Sequence, residues 1–142
     1  MTIEQTRAAN ALTRVHTLAD PVRTQFDDEQ QRDAFMRRYR AYVERLGPAI
    51  LGNGLGQALA TERAAAGKTP SKPDQKAHFE LYRSMQAWLC REELGVYSGE
   101  TDLLRAIVEN GESQYLRAQA EGLAWLEWHK KFCRAAFPKG RD

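Results

Sequence analysis

Residues 78–89 read HFELYRSMQAWL, and their apolar positions return every three or four residues. That spacing places the apolar side chains on one side of an α-helix, where they form a stripe that can be buried. The members of the stripe are Phe79, Tyr82, Met85, Trp88 and Leu89. No segment alternates strictly between apolar and polar residues, so the sequence predicts no β-sheet. The predicted fold is all-α, a single compact bundle of about six helices.

Cap and turn signals divide the chain into these helices. Thr2 and Gln5 have the spacing of a capping box, which opens a first helix that extends to about residue 19. Asp27 is expected to cap a second helix, because a carboxylate there can accept the free amides of the first turn. Gly47 and Pro48 are expected to end the second helix and to begin a third.

The second half of the chain continues the pattern. The third helix is predicted to end near Gly67, and a fourth to begin near Ser71 and Asp74 and to continue up to Gly95, its expected C′ residue. A short fifth helix is closed by residues 110–111, and the last helix spans about 113–137. The Gly- and Pro-containing segment 67–73 is expected to be an exposed, mobile loop. All of residues 1–142 are predicted to form one domain.

Composition indicates a globular protein. The 142 residues carry a net charge of +2, with 42% hydrophobic and 28% charged residues, which is ordinary for globular domains. The mean hydropathy is -0.64, and no apolar run approaches the roughly 20 residues that a membrane span needs. Residues 1–10 lack the apolar core of a secretory signal. We therefore expect a cytoplasmic protein that does not associate with a membrane.

The cysteines and histidines do not form a metal-binding pattern. Cys90 and Cys133 fall among apolar residues at helical spacing and are predicted to be core thiols. His129 and Cys133 stand four residues apart, which can supply half of a zinc site, but no second half follows. We expect no metal and no cofactor, and we place His129 on a helix surface beside a core thiol.

Catalytic motifs are missing from the sequence. It contains no GxSxG nucleophile elbow, no P-loop and no kinase motifs. The run GNGLG at residues 52–56 differs from the dinucleotide-binding pattern GxGxxG and does not follow a predicted strand. The sequence therefore gives no reason to expect an enzyme.

The same glycine run interrupts a helical rhythm. Each glycine costs a helix roughly 1 kcal/mol relative to alanine, which indicates a reason for its presence. Either another helix approaches closely, or the helix bends and offers backbone groups to a partner. Gly52, Asn53, Gly54 and Gly56 are therefore predicted to serve helix packing or a subunit contact. Replacement of Gly54 by leucine is expected to disturb that contact.

Two groups of cations are set apart by segments without acids. The first is Arg37, Arg38 and Arg40, with no acid between residues 34 and 43, together with Arg45, which lies seven residues beyond Arg38 on the same side of the helix. The second is Lys130, Lys131 and Arg134, in a run from residue 128 to residue 141 that contains no acid. Guanidinium groups in a row can follow a phosphate backbone. Solvated surface charge, or cations that favour the C-terminal dipole of a helix, would give the same pattern. The residues alone leave both interpretations open.

Three segments resemble one known family. Residues 45–60, RLGPAILGNGLGQALA, resemble the Pro-x-x-Ile/Leu-x-x-Asn-Gly-Leu-x-x-x-Leu-Ala signature of the Cmr small-subunit family of type III-B CRISPR effectors. Residues 78–89 are similar to the helix that follows a variable lysine-rich loop in that family. Residues 113–132, SQYLRAQAEGLAWLEWHKKF, resemble its Tyr-Arg-x-Ala-x-x-Glu-Ala-Leu-x-x-Leu-x-Trp-Leu-Lys-Arg-Phe pattern. Order and gaps match over residues 39–136, with departures at Gly122 and His129.

The resemblance implies a role as well as a fold. In this family, helical subunits stack head to tail as a minor filament of an RNA-guided antiviral ribonucleoprotein, and cleavage belongs to another subunit. The implied partners are the large polymerase-like subunit, the backbone subunits, further copies of the chain, and guide and target RNA. With that role, both cation groups are predicted to contact RNA through its backbone and shape. The alternative is a stand-alone helical DNA-binding or regulatory protein, with Gly47 and Pro48 in its helix–turn–helix junction.

Overall fold

The computed structural model of the chain describes residues 1–21 and 26–140. Within these two ranges it contains six α-helices, one 3₁₀ turn (Glu92–Leu94) and no β-strand, which confirms the predicted all-α bundle. The helices are α1 (Ile3–Ala19), α2 (Glu29–Asn53), α3 (Leu55–Ala66), α4 (Pro73–Leu89), α5 (Leu103–Glu109) and α6 (Glu112–Ala136). None of the helices in the described ranges has the length and apolar content required to cross a membrane.

The two longest helices, α2 and α6, have 25 residues each and pack against each other. α2 packs on α4 and α6, α1 packs on α6, and α3 packs on α4. Trp88 of α4 and Trp125 of α6 are the largest fully buried side chains. A Cβ on Gly122 would lie 2.9 Å from the Met85 Cε atom, so glycine permits the close approach of α6 to α4.

Several predicted boundaries are confirmed. Thr2 Oγ1 accepts from the Gln5 amide at 3.1 Å, and Gln5 Oε1 accepts from the Thr2 amide at 2.8 Å, which completes the capping box. Gly67 follows the last residue of α3, and α6 begins and ends within one residue of the predicted bounds. These ends depend on local hydrogen bonding and backbone conformation, which nearby residues specify.

The predicted break at Gly47 and Pro48 is wrong, because α2 continues through both residues to Asn53. Pro48 is exposed, while Leu46 and Ile50 on either side of it are buried. A proline clashes with the Cβ atom of the residue before it in a helix, and Gly47 has no Cβ atom. The burial of both flanking residues then favours the continuous helix.

The chain instead breaks at Gly54, whose φ of 90° lies in a region that other residues rarely adopt. The two amides that follow are satisfied by α6. Gln119 Oε1 accepts from the Leu55 amide at 2.9 Å, and the Tyr115 hydroxyl accepts from the Gly56 amide at 3.1 Å. Packing of α6 therefore fixes the start of α3.

Three smaller boundary predictions also need correction. The cap of α2 is Asp28, whose side chain accepts from the Gln30 amide at 2.8 Å, and not Asp27. The fourth helix ends at Leu89, and Gly95 follows the 3₁₀ turn in a left-handed conformation. At its start, the Gln75 side chain accepts from the amides of residues 71 and 72, so Ser71 does not cap the helix.

His129 is fully buried, so its predicted place on a helix surface is wrong. Its Nδ1 atom lies 3.2 Å from the Ala11 carbonyl, which can only accept, so we assign the proton to Nδ1. Its Nε2 atom then accepts from the Tyr39 hydroxyl at 2.6 Å, and that hydroxyl also contacts Ser84 Oγ at 2.9 Å. Burial lowers the pKa of His129 to about 3, which keeps the ring neutral.

The buried hydrogen bonds continue outward to an ion pair. Arg14 Nε donates to Ser84 Oγ at 2.6 Å, and Arg14 Nη2 lies 2.7 Å from Glu80 Oε2. The inner cluster (Arg14, Tyr39, Glu80, Ser84 and His129) therefore joins α1, α2, α4 and α6. Because its polar groups bond to one another, it supports a single arrangement of the four helices.

Candidate nucleic-acid interface

The four arginines of α2 do not form one row. Arg37 Nε pairs with Asp33 at 2.5 Å, and its Nη1 atom donates to the Lys139 carbonyl. Arg40 Nη1 donates to the Phe137 carbonyl at 2.9 Å. Carbonyls at the end of a helix have no partner within that helix, so these two arginines hold the end of α6 and the residues after it.

Arg38 and Arg45 lie on another side of α2, where Arg38 contacts Asp74 of α4 and Arg45 contacts the Tyr42 ring. The Arg38 side chain is 54% exposed, and its Nη1 atom lies 3.3 Å from Asp74 Oδ1. The Arg45 guanidinium lies 4.7 Å from the centroid of the Tyr42 ring. Among the described residues, no carboxylate forms an ion pair with the exposed Arg45. These two arginines are therefore the members of the first group that remain available to a ligand.

Aromatic stacking holds Arg45 in place. The Tyr42 ring lies parallel to the His78 ring of α4, with 3.9 Å between centroids and 11° between planes. The Tyr42 hydroxyl donates to Asp74, and His78 Nδ1 lies 2.5 Å from Glu62 Oε2. Burial, followed by the hydrogen bond to Asp74, raises the pKa of Tyr42, so the phenol stays protonated.

The side of α2 that carries these residues forms the wall of a groove of about 1010 Å³. The groove, called here the α2 groove, is lined by Leu18, Phe35, Arg37, Arg38, Tyr42 and Arg45, among others. Arg37 reaches its edge with a guanidinium that Asp33 already neutralises. Arg32 lines the groove too, but it donates to the Phe26 and Asp27 carbonyls, and Glu29 adds an acid to the lining. Arg38 and Arg45 are the exposed cations of the lining that a polyanion would meet.

The second cation group lies at the C-terminal half of α6 and is partly neutralised. Arg134 forms a bidentate pair with Glu44, whose Oε2 atom lies 2.7 Å from Arg134 Nη2. Hydrogen bonding to Arg134 holds the pKa of Glu44 below its ordinary value. Lys130 and Lys131 share Glu127 at 3.2 and 4.0 Å. Lys131, 64% exposed, is the most available of the three.

The glycine run is divided between packing and surface. A Cβ on Gly54 would lie 2.9 Å from the Tyr115 hydroxyl, and one on Gly56 would contact Ile107 and Tyr115 at 3.7 Å. Gly54 therefore lies where α6 approaches closely, whereas the contacts at Gly56 are of ordinary van der Waals length. Gly52 and Asn53 are exposed, so for them a subunit contact stays a prediction.

Two features of the surface were missed in the sequence. The first is the contact of the Tyr42 ring with Arg45, for which the spacing of three residues between them was the available signal. The second is a cation–aromatic cluster between α3 and α4, where Arg63 and Arg83 lie 5.2 and 5.7 Å from the Phe79 ring centroid. Phe79 and Arg83 stand four residues apart on one helix, and that spacing was the available signal for their contact. Arg63 lies on another helix, and no local pattern joins it to them.

Within residues 1–21 and 26–140, no group of three or more potential metal ligands comes together. Cys133 is buried, and burial raises its pKa to about 12, so its thiol stays protonated. Cys90 is half-buried, and its pKa is raised to about 11, also mainly by burial. Both thiols are therefore poor nucleophiles and poor metal ligands at neutral pH.

A comparison with protein families adds an independent observation. The model of the family described as CRISPR-associated protein (Cas_Cmr5) matches residues 3–136. The match covers all six helices as well as both cation groups. It includes the three segments on which the resemblance in the sequence rested.

Proposed function

This chain belongs to the Cas_Cmr5 family of CRISPR-associated proteins, and on that premise we propose that it is a non-catalytic structural subunit of a type III-B Cmr ribonucleoprotein. In this proposal the subunit stacks with further copies of itself and contacts the large polymerase-like subunit and the backbone subunits. It works in the cytoplasm and contacts guide and target RNA through cations. The family match over residues 3–136 is the observation that carries the proposal.

The proposed RNA contact is strongest at the α2 groove. Arg38 is half-exposed and Arg45 has an aromatic ring in place of a carboxylate partner. Guanidinium groups bind phosphate oxygens in a bidentate manner, and a pre-positioned guanidinium loses less conformational entropy on binding. Recognition would be of backbone and shape, since pairing with the guide reads the sequence. Lys131, with Lys130 and Arg134, forms the weaker second contact.

Gly52 and Asn53 are the proposed subunit contact at the end of α2. Both are exposed, and the neighbouring Leu51 side chain is 73% exposed. An exposed leucine beside two small residues suits a protein interface better than an RNA interface, because it offers apolar area and close backbone approach. We propose that another subunit of the assembled complex packs against that end of the bundle.

The alternative, a stand-alone DNA-binding protein, loses its main support. That reading used Gly47 and Pro48 as the turn between the two helices of a DNA-binding motif. Because α2 passes through both residues without interruption, the predicted junction does not exist. Co-purification still separates the two proposals: a guide RNA with larger subunits supports the first, and an isolated dimer that shifts duplex DNA supports the second.

The test of the RNA contact is charge reversal in the assembled complex. We expect Arg38→Glu with Arg45→Glu to weaken target-RNA binding by about tenfold at low salt. The slope of log affinity against log salt should become shallower by about 1 to 2, since fewer counterions are released. The control is Arg105→Glu with Arg117→Glu, which makes the same change of charge at exposed positions on α5 and α6.

Two outcomes would contradict this assignment. One is an unchanged affinity and salt slope in a complex that contains the double variant at normal stoichiometry. The other is failure of the double variant, but not of the control, to enter the complex. That result would assign Arg38 and Arg45 to a protein contact.

A further inference from the structure

The outward side of α4 carries cations around one aromatic ring. Lys72, Phe79 and Arg83 recur at seven and four residues, which places them on one side of the helix. The opposite side carries the buried Leu81, Met85 and Trp88 and belongs to the core.

α3 supplies the second cation at the ring. The Arg63 guanidinium lies 5.2 Å from the Phe79 centroid, and the Arg83 guanidinium lies 5.7 Å from it. The two guanidinium groups are therefore about 11 Å apart at most. An anion that lies near both guanidinium groups would be attracted by each of them.

Little acidic charge offsets these cations. Arg63 donates to the Gly67 carbonyl at 2.8 Å and has no carboxylate partner among the described residues. Arg83 contacts Glu80 at 3.3 Å, but that carboxylate is already held by Arg14 at 2.7 Å. The loop between the helices adds Lys68 and Lys72, both exposed. The hairpin surface, defined as Arg63, Lys68, Lys72, Phe79 and Arg83, is therefore strongly positive.

The hairpin surface is separate from the α2 groove. Asp74 and His78 of α4 contact Arg38 and Tyr42 of α2. Phe79 and Arg83 lie on another side of the same helix and contact Arg63 of α3. A ligand could therefore occupy one surface without contacting the other.

We propose that the hairpin surface binds single-stranded RNA, with Arg63, Arg83 and the loop lysines on phosphates and Phe79 beneath a base. Aromatic rings and guanidinium planes both stack on unpaired bases, and interspersed cations follow the backbone. In a duplex the faces of the bases are stacked on one another, so a duplex would contact the cations of this surface but would not stack on Phe79. This inference rests on the proposed function, in which RNA is the polyanion that the complex binds. It adds a second binding site on the chain and names single-stranded RNA as the ligand of that site.

The experiment measures binding of the full chain to a fluorescent oligouridylate of about 20 nucleotides, alone and paired with oligoadenylate, at about 50 and 200 mM salt. Phe79→Leu keeps the apolar volume and removes the aromatic face. We expect it to weaken single-strand binding by about fivefold or more and to leave duplex binding unchanged.

Arg83→Gln provides a second readout that does not depend on the ring. We expect weaker single-strand binding and a salt slope reduced by about 0.7, the value for one lost phosphate contact. Arg105→Gln is its control, because Arg105 is an exposed arginine that pairs with Glu109 on its own helix at 3.0 Å, as Arg83 does with Glu80. Thermal unfolding of each variant shows whether it is folded.

Three results would overturn the proposal. The first is a single-strand affinity of Phe79→Leu that stays within about twofold of that of the unmodified chain. The second is an equal loss of affinity for single strand and duplex in Phe79→Leu. The third is a loss of single-strand binding in Arg105→Gln that is as large as the loss in Arg83→Gln. The Arg38→Glu and Arg45→Glu double variant, measured in the same titrations, separates the two sites. If it alone loses binding, the hairpin proposal fails; if only the hairpin variants lose binding, the α2 groove assignment fails.

Discussion

Tyr39 and Tyr42 lie three residues apart on α2 and have opposite surroundings. The Tyr39 hydroxyl is buried, and its hydrogen-bond partners, Ser84 and His129, belong to the same chain. The Tyr42 ring reaches the α2 groove, where one of its neighbours is the exposed Arg45 guanidinium. The inner cluster therefore stabilises one arrangement of helices, while the groove keeps a cation in position for a ligand.

The strongest test of this difference removes the inner hydroxyl. Tyr39→Phe leaves the buried His129 Nε2 atom without a donor, while Ser84 keeps its hydrogen bonds to Arg14 and to the Glu80 carbonyl. A buried unsatisfied group costs about 1 to 3 kcal/mol. We expect the free energy of unfolding to fall by about 3 kcal/mol, measured by urea denaturation. Its control is Tyr97→Phe, because the buried Tyr97 hydroxyl has no hydrogen-bond partner among the described residues. Equal losses in the two variants would show that the inner cluster adds nothing specific.

The second largest expected effect is a loss of folding stability in acid, caused by the buried His129 of the inner cluster. The pKa of His129 is lowered from 6.5 to about 3, chiefly by burial, and Arg14 lowers it further. Between these values the unfolded chain binds a proton that the native chain does not. Stability is therefore full above pH 6.5 and falls by about 1.4 kcal/mol per unit below it. At pH 5 the expected loss is about 2 kcal/mol.

The measurement compares urea unfolding at pH 7 and pH 5, a window above most carboxylate titrations. His129→Gln should remove most of the difference between the two pH values, even if that variant is less stable at both. The control, His16→Gln, changes an exposed histidine and should keep the difference. An unaltered pH dependence in His129→Gln would exclude His129 as its source.

The sequence predicts those parts of the fold that neighbouring residues specify. The capping box of Thr2 and Gln5 and the end of α3 at Gly67 both depend on contacts within a few residues. The break at Gly47 and Pro48 was wrong because burial of the flanking apolar residues outweighed a local signal. Such burial becomes visible only when the positions of α4 and α6 are known.

The candidate site shows the same limit more strongly. Arg37, Arg38, Arg40 and Arg45 formed one group in the sequence, although Glu44 directly precedes Arg45. In the structure, Arg40 meets a carbonyl that is 97 residues away, and Arg38 meets a carboxylate that is 36 residues away. His129 was misplaced for a similar reason, since its partner Tyr39 is 90 residues distant. Long-range packing, which no local pattern encodes, separates structural arginines from available ones.

The smallest expected effect tests that separation on a single helix. Arg40→Gln and Arg38→Gln make the same change of charge two residues apart. Arg40→Gln removes the donor to the Phe137 carbonyl at the end of α6, so we expect a loss of about 1 kcal/mol in the free energy of unfolding. Arg38→Gln removes an exposed ion pair, which contributes little, so the change should stay within about 0.5 kcal/mol. If Arg38→Gln were the more costly change, Arg38 would have a structural role, and its assignment to an RNA contact would lose its physical basis.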